Sequence, residues 1–310
     1  MAKPNSSNRQ ISLVFFGAGP VASESLEFLI QTFQVEAVIT KPRSKGNTAP
    51  VIDLANMHNL PIFTPLNRLE LSEIIKNNRF SSQIGLVIDF GIIISSDVID
   101  SFSLGIINSH FSLLPEWRGA DPITFSLLSG QARTGVSLMR IVEALDEGPL
   151  IAQGELNILP THTNQSLTKD LIDLSNTLLA HYLPMYVSGE ISPGPQDLIA
   201  KSTSREVSYS RKLSKNDGLL DWNKDAETLE REIRAYQGWP QSRCKLGRVD
   251  LIITEASVVD KKLKPGEYQV DNKQLIIGCK SKSLQIKRLK PIGKNEMDIS
   301  SFLAGYLDKL

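Results

Sequence analysis

Four short apolar runs, residues 11–16, 35–40, 84–89 and 105–108, are separated by longer stretches, with a helical pattern at 23–33 after the first. Strands that read as near-continuous apolar runs are buried on both faces, which happens when helices cover both sides of a parallel sheet. The spacing between runs leaves room for crossover connections. Residues 135–142 and 148–156 read as two further strands, and 121–129 and 166–187 as further helices. The expected architecture is therefore α/β, a doubly wound, Rossmann-like parallel sheet.

Ligands of such sheets bind beyond the carboxyl ends of the strands. Gly17, Phe90, Asn108 and Asp146 all fall at or just past such ends. The run from Asn108 to Pro122 carries the most chemistry. Asn108 and His110 are two residues apart, so an extended segment puts both side chains on one face. An amide can hold an oxyanion, and an imidazole can move a proton. Taken alone, the pair reads first as a buried, hydrogen-bonded histidine at a strand end. Asp146, before Glu147-Gly148-Pro149, reads either as a turn aspartate bonding its own backbone or as a carboxylate facing His110. Spacing gives no preference between the two.

Gly17-Ala18-Gly19-Pro20-Val21-Ala22 fits a dinucleotide fingerprint in its glycines only. The second strand ends Ile39-Thr40-Lys41-Pro42, without the acid that holds a ribose, and Pro20 removes an N–H where phosphate needs one. A tight turn is the better reading. His58, His162 and His181 are scattered, and Trp117 reads as a packing residue. Arg118 pairs either with an anion or within its loop.

At 310 residues, with 41% hydrophobic and 22% charged residues, the chain has room for two domains with separate cores. No apolar run approaches eighteen residues, so no membrane span is expected. Residues 1–10 are polar and read as a disordered lead-in, not a signal peptide. Cys244 and Cys279 with four histidines make no metal site, and free thiols point to the cytoplasm. The net charge is zero, but from residue 196 onward 22 Lys and Arg stand against 16 Asp and Glu. A basic C-terminal half suits an anionic partner or a merely solvated surface. Composition turns Gly/Pro/Ser-rich near Ser188. The expected division is a catalytic domain at 11–188, a linker at 189–208 and a second domain at 209–310. The last has one helical pattern, 228–236, and short strands at 249–259, 266–270, 274–278 and 284–289, which suggest a small OB-like β-barrel.

Asn108-x-His110 followed by Ser112-Leu113-Leu114-Pro115-x-Trp117-Arg118-Gly119-Ala120-x-Pro122-Ile123 resembles the signature of the folate-dependent formyltransferases. Gly135-Val136-Ser137-Leu138-Met139, then Leu145-Asp146-x-Gly148, resembles their second signature. Tyr209 to Lys215, Leu220-Asp221-Trp222, Ile233-Arg234-Ala235-Tyr236, Trp239-Pro240 and Leu289 to Lys294 with Met297 resemble the second domain of the methionyl-tRNA formyltransferase branch. This resemblance implies 10-formyltetrahydrofolate as formyl donor and initiator Met-tRNA as acceptor, in translation initiation, with no metal and a monomeric chain. It implies that Asn108 holds the oxyanion, His110 takes the amine proton and Asp146 orients His110. Phe90, Gly91 and Ile92 would lie near the pterin, and Ser112, Leu113, Leu114 and Pro115 would line the folate pocket. Arg43, Lys45, Arg211 and Lys212 would contact tRNA.

The chain departs from the family pattern in three places. Its first turn lacks the threonine of Gly-Thr-Pro, its loop at 41–46 is short, and Asp89 stands where a small neutral residue is common. Asp89 would either bond the pterin or cap its strand. Two alternatives remain: a sugar-nucleotide N-formyltransferase with the same trio, and a non-catalytic RNA-binding protein.

Overall fold

The computed structural model describes residues 10–43, 48–203 and 205–310. Lys45 and all but the last residue of the expected lead-in lie outside them. The chain forms two compact units. One comprises Met1–Pro122, Arg133–Asn157 and Thr168–Ser210, and the other Ile123–Ala132, Ile158–Leu167 and Arg211–Leu310.

In chain order the first unit runs β1 (Ser12–Gly17), α1 (Gly19–Thr32), β2 (Gln34–Ile39), α2 (Pro50–Met57), β3 (Ile62–Phe63), α3 (Arg68–Asn78), β4 (Ile84–Ile88), α4 (Ser96–Ile99), β5 (Ile106–His110) and β6 (Arg118–Gly119). It continues beyond α5 (Pro122–Ser129) with β7 (Arg133–Arg140), β8 (Leu150–Asn157), most of α6 (Asn164–Val187), α7 (Gln196–Thr203) and β9 (Tyr209–Ser210). The main sheet has the order β3-β2-β1-β4-β5-β7-β8. Leu13, Val14, Phe15 and Phe16 of β1 are all fully buried, so consecutive side chains are apolar on both faces.

The first five strands are parallel, as expected, but β7 pairs antiparallel with β5, and β8 with β7. Connection length accounts for the second pairing: residues 141–149, between β7 and β8, are too few to cross over a sheet. β1 is followed by β2 on one side and, later, β4 on the other. Their outgoing loops diverge and leave a crevice at the carboxyl edge, with Ala18 N–H donating to Asp89 O at 2.8 Å across it. The stretch expected to be a linker, 189–208, contains a helix, α7, and the two residues after it form β9, which pairs with β6 in the first unit.

The second unit contains α8 (Ala226–Ala235), β10 (Ser242–Leu246), β11 (Val249–Val259), β12 (Tyr268–Asp271), β13 (Gln274–Gly278), β14 (Ser283–Pro291), β15 (Met297–Asp298) and α9 (Ile299–Tyr306). The sheet is antiparallel in the order β10-β11-β14-β13-β12, with β15 on β14. Leu251 and Ile253, Leu275 and Ile277, Leu284 and Ile286 alternate with more exposed neighbours, and Leu229 and Ile233 of α8 close the same core one turn apart. Each such side chain stabilises the unit by about 1.5–3 kcal/mol through burial alone. β11 is bulged around Glu255, which lets one long strand pair with β10 and along β14. Burial pushes the Cys279 thiol up to about 11 and the Cys244 thiol up to about 12, so neither ionises at neutral pH.

Glu232 on α8 is the charged group this unit can least accommodate. Its side chain is 6% exposed; Oε1 meets Lys224 Nζ at 2.6 Å, while Oε2 has no partner among the described residues. Desolvation raises its carboxyl above the ordinary value despite the lysine. A folded-state pKa above the unfolded one makes stability fall as pH rises from the unfolded value through the folded one. Glu232→Gln removes that loss, and Lys224, largely exposed, re-solvates at little cost. We expect the variant to gain about 1 kcal/mol at pH 7.5 and nothing at pH 4. Denaturant titration at both pH values checks this; an equal change at the two would refute it.

Candidate active site

Within β5, Ser109 turns to one face of the sheet, where its Oγ lies 2.7 Å from Ser175 Oγ on α6. Asn108 and His110 therefore share the opposite face. Asn108 pairs with Met139 of β7 and His110 with Ser137, so both sit near the carboxyl end of β5, flanked by strands. The Asn108 carboxamide is half-buried and has no hydrogen-bond partner among the described residues.

His110 is 6% exposed. Its Nε2 lies 2.9 Å from Trp117 O. A carbonyl can only accept, so Nε2 carries the hydrogen and Nδ1 keeps its lone pair. That Nδ1 is 3.8 Å from Asp146 Oδ2, too far for a hydrogen bond but close for charge interaction. Asp146 Oδ2 also accepts Gly119 N–H at 2.7 Å, and its residue has φ +52°. It is thus both a turn residue and a carboxylate directed at His110. The tautomer is set by the backbone of Trp117.

The loop after β5 is held by a serine. Ser137 Oγ donates to Ser112 O at 2.6 Å and accepts from Leu114 N–H at 2.9 Å and Gln153 Nε2 at 2.8 Å. Ser112, Leu113, Leu114 and Pro115 are all buried, Leu114 against Met139 and Leu150. After β4, Phe90 packs edge-on against Phe16 in the core, Gly91 has φ +68°, and Ile92 is half-buried. Asp89 (φ +49°) reaches solvent, yet the protein around its carboxyl raises it. The Lys41 ammonium pulls the other way and the Asp121 charge adds to the rise.

Arg118, left open between an anion and its own loop, is engaged within the protein. It is 8% exposed, with Nη1 3.0 Å from Glu147 Oε1 and Nη2 donating to Gln196 Oε1 at 2.8 Å. Gln196 was not singled out from the sequence; only its burial reveals it. Arg43 pairs with Asp53, and Arg211 with Asp217, while Lys212 is exposed. A groove of about 660 Å³ lies elsewhere, in the second unit, with its charges paired as Arg234–Glu230 and Arg288–Glu296.

Residues 29–183 match the family model described as formyl transferase, and residues 212–307 that of the formyl transferase C-terminal domain. A methionyl-tRNA formyltransferase of Pseudoalteromonas translucida is 32% identical, covering 96% of this chain and 95% of its own. That of Myxococcus xanthus is 33% identical over 95% of each. The chain belongs to the methionyl-tRNA formyltransferase family. The fold is shared more widely: an N-formyltransferase from Helicobacter canadensis, solved with folinic acid and dTDP-3-aminofucose, superimposes with a TM-score of 0.68 at 19% identity over 89% of this chain and 98% of that one.

Gly119 links the features of this site, since its N–H reaches Asp146 and it lies on β6. Its φ is +113°, and a Cβ there would lie 2.2 Å from Ser210 O. Gly119→Ala should destabilise the protein by about 2–3 kcal/mol, through strain and the displaced β6–β9 pair. An unchanged unfolding midpoint would show that this contact is not tight.

Proposed function

We propose that this chain transfers a formyl group from 10-formyltetrahydrofolate to the α-amine of methionine on initiator tRNA, the activity carried in the names of its relatives. One observation supports the site assignment above others. An unpartnered Asn108 amide sits on the same face as a buried imidazole whose Nε2 is committed and whose Nδ1 is free to take a proton.

The chemistry follows from those groups. The amine attacks the formyl carbon, and the Asn108 N–H donates to the oxyanion as it forms. Such a donor contributes about 3–4 kcal/mol, or ~10²–10³ in rate. His110 Nδ1 takes the proton from the new ammonium, and the Asp146 carboxylate stabilises the imidazolium. His110 then returns the proton to the departing folate nitrogen as the intermediate collapses. The formyl amide is already activated, so the sequence of steps calls for no metal. The backbone of Phe90, Gly91 and Ile92 and the loop Ser112–Pro115 form the folate side of the site. Because the latter residues are buried, the loop offers shape and backbone groups more than side chains.

No helix among the described residues is long and apolar enough to cross a membrane. We place the protein in the cytoplasm, where charged initiator tRNA is found, and read it as a monomer. Arg43, Lys45, Arg211 and Lys212 are the proposed tRNA contacts, Arg43 and Arg211 after exchanging their carboxylate partners for phosphate.

His110→Ala and Asn108→Ala should each lower kcat at least about 10²-fold with wild-type melting curves. Assays with methionyl-tRNA and an amino-sugar nucleotide in parallel test the acceptor, and formylation of the sugar alone would reject it. Met-tRNA binding should weaken steeply with salt, and Lys212→Ala should reduce that log–log slope by about one. An unchanged slope would remove Lys212 from the interface.

A further inference from the structure

Gln196 lies in the stretch whose composition marks a linker, yet it is 3% exposed. Its Nε2 donates to Asp146 O and Gly148 O, each at 2.8 Å, and its Oε1 accepts from Arg118 Nη2 at 2.8 Å. Both amide hydrogens and the carbonyl are therefore in use. Just upstream, Leu150 N–H donates to Gly194 O at 2.7 Å and Gly194 N–H to Leu150 O at 2.8 Å. The turn after β7 is thus fastened to residues 194–196.

That turn needs holding. Asp146 has φ +52°, which a residue with a Cβ keeps only where its surroundings impose it. On the far side the turn has no slack, because a Cβ on Gly148 would lie 1.7 Å from Arg140 O. Further along the same segment, Ser208 Oγ accepts Trp117 N–H at 3.0 Å, and Ser208 O accepts Arg118 N–H at 2.9 Å. Both acceptors facing His110, Trp117 O and Asp146 Oδ2, are carried on loops secured by one segment.

We propose that Gln196 is a positioning residue that holds Asp146 at its working distance from His110, which makes Gly194, Gln196 and Ser208 part of the active-site frame. The inference rests on the roles given above to His110 and Asp146. Gln196 acts through the carbonyls of the turn and has no contact with the reacting atoms.

Gln196→Glu isolates the effect. It keeps the shape and the Arg118 partner but replaces two donors by lone pairs facing two carbonyls. In single-turnover formyl transfer with 10-formyltetrahydrofolate and Met-tRNA, kcat should fall about 10- to 100-fold. KM for either substrate should stay within about twofold. Gln196→Met, similar in volume, should behave alike and serves if the glutamate variant folds poorly. The decisive comparison is in an Asp146→Asn background, where the Gln196 substitution should cost less than about threefold, since a group acting through a removed partner has nothing left to lose. An unchanged kcat in the single variants, or a full additive loss in the double variant, overturns the proposal while leaving the site reading in place. Wild-type kcat in Asp146→Asn alone overturns the site reading, and this inference with it.

Discussion

Trp117 O stands 2.9 Å from His110 Nε2, and a carbonyl has no hydrogen to give. That contact decides which nitrogen of the imidazole is protonated, and the rest of the site is arranged around the answer. With Nε2 occupied, the basic lone pair is on Nδ1, the nitrogen 3.8 Å from the Asp146 carboxylate. A carboxylate at that distance does not compete for the lone pair, whereas a hydrogen bond from Nδ1 would have required the other tautomer. The left-handed backbone of Trp117, φ +57°, belongs to the same arrangement, since it marks where the chain reverses to bring its carbonyl back over the ring.

The surrounding electrostatics are set by the sheet. Parallel strands deliver β1, β4 and β5 to a common edge, so loops distant in sequence are neighbours there. Asp89 and Asp121 add negative charge near this edge, and Lys41 offsets it. Two departures of this chain from the family pattern, the turn at 17–20 and Asp89, fall at that edge.

Much of this was legible in the sequence. The apolar runs gave strands β1, β2, β4 and β5 within a residue or two, because full burial on both faces leaves a pattern that composition alone displays. The directions of β7 and β8 were less visible: apolar content is the same for either direction, and the short 141–149 connection fixes only that β8 runs against β7. Asp146 could be read two ways; its carboxylate is bonded not to its own turn but to Gly119 N–H of β6, with His110 Nδ1 at 3.8 Å. The partner of His110 Nε2 could not be read at all. Every residue has a carbonyl, and which one returns to the ring depends on the fold of the loop. Gln196 was hidden for a related reason: in a stretch rich in Gly, Pro and Ser, a glutamine looks like one more polar surface residue until its burial is known.

The bonds made by Gly194, Gln196 and Ser208 also bear on where the first unit can be cut. A catalytic module is usually pictured as ending where its last long helix ends, here α6 at Val187. By that boundary Asn108, His110 and Asp146 would all be inside. The same boundary would leave behind Gln196, Ser208 and the strand that pairs with β6. A cut at Val187 therefore parts the loops that carry Trp117 and Asp146 from the residues that fasten them, whereas a cut beyond Ser210 keeps them together.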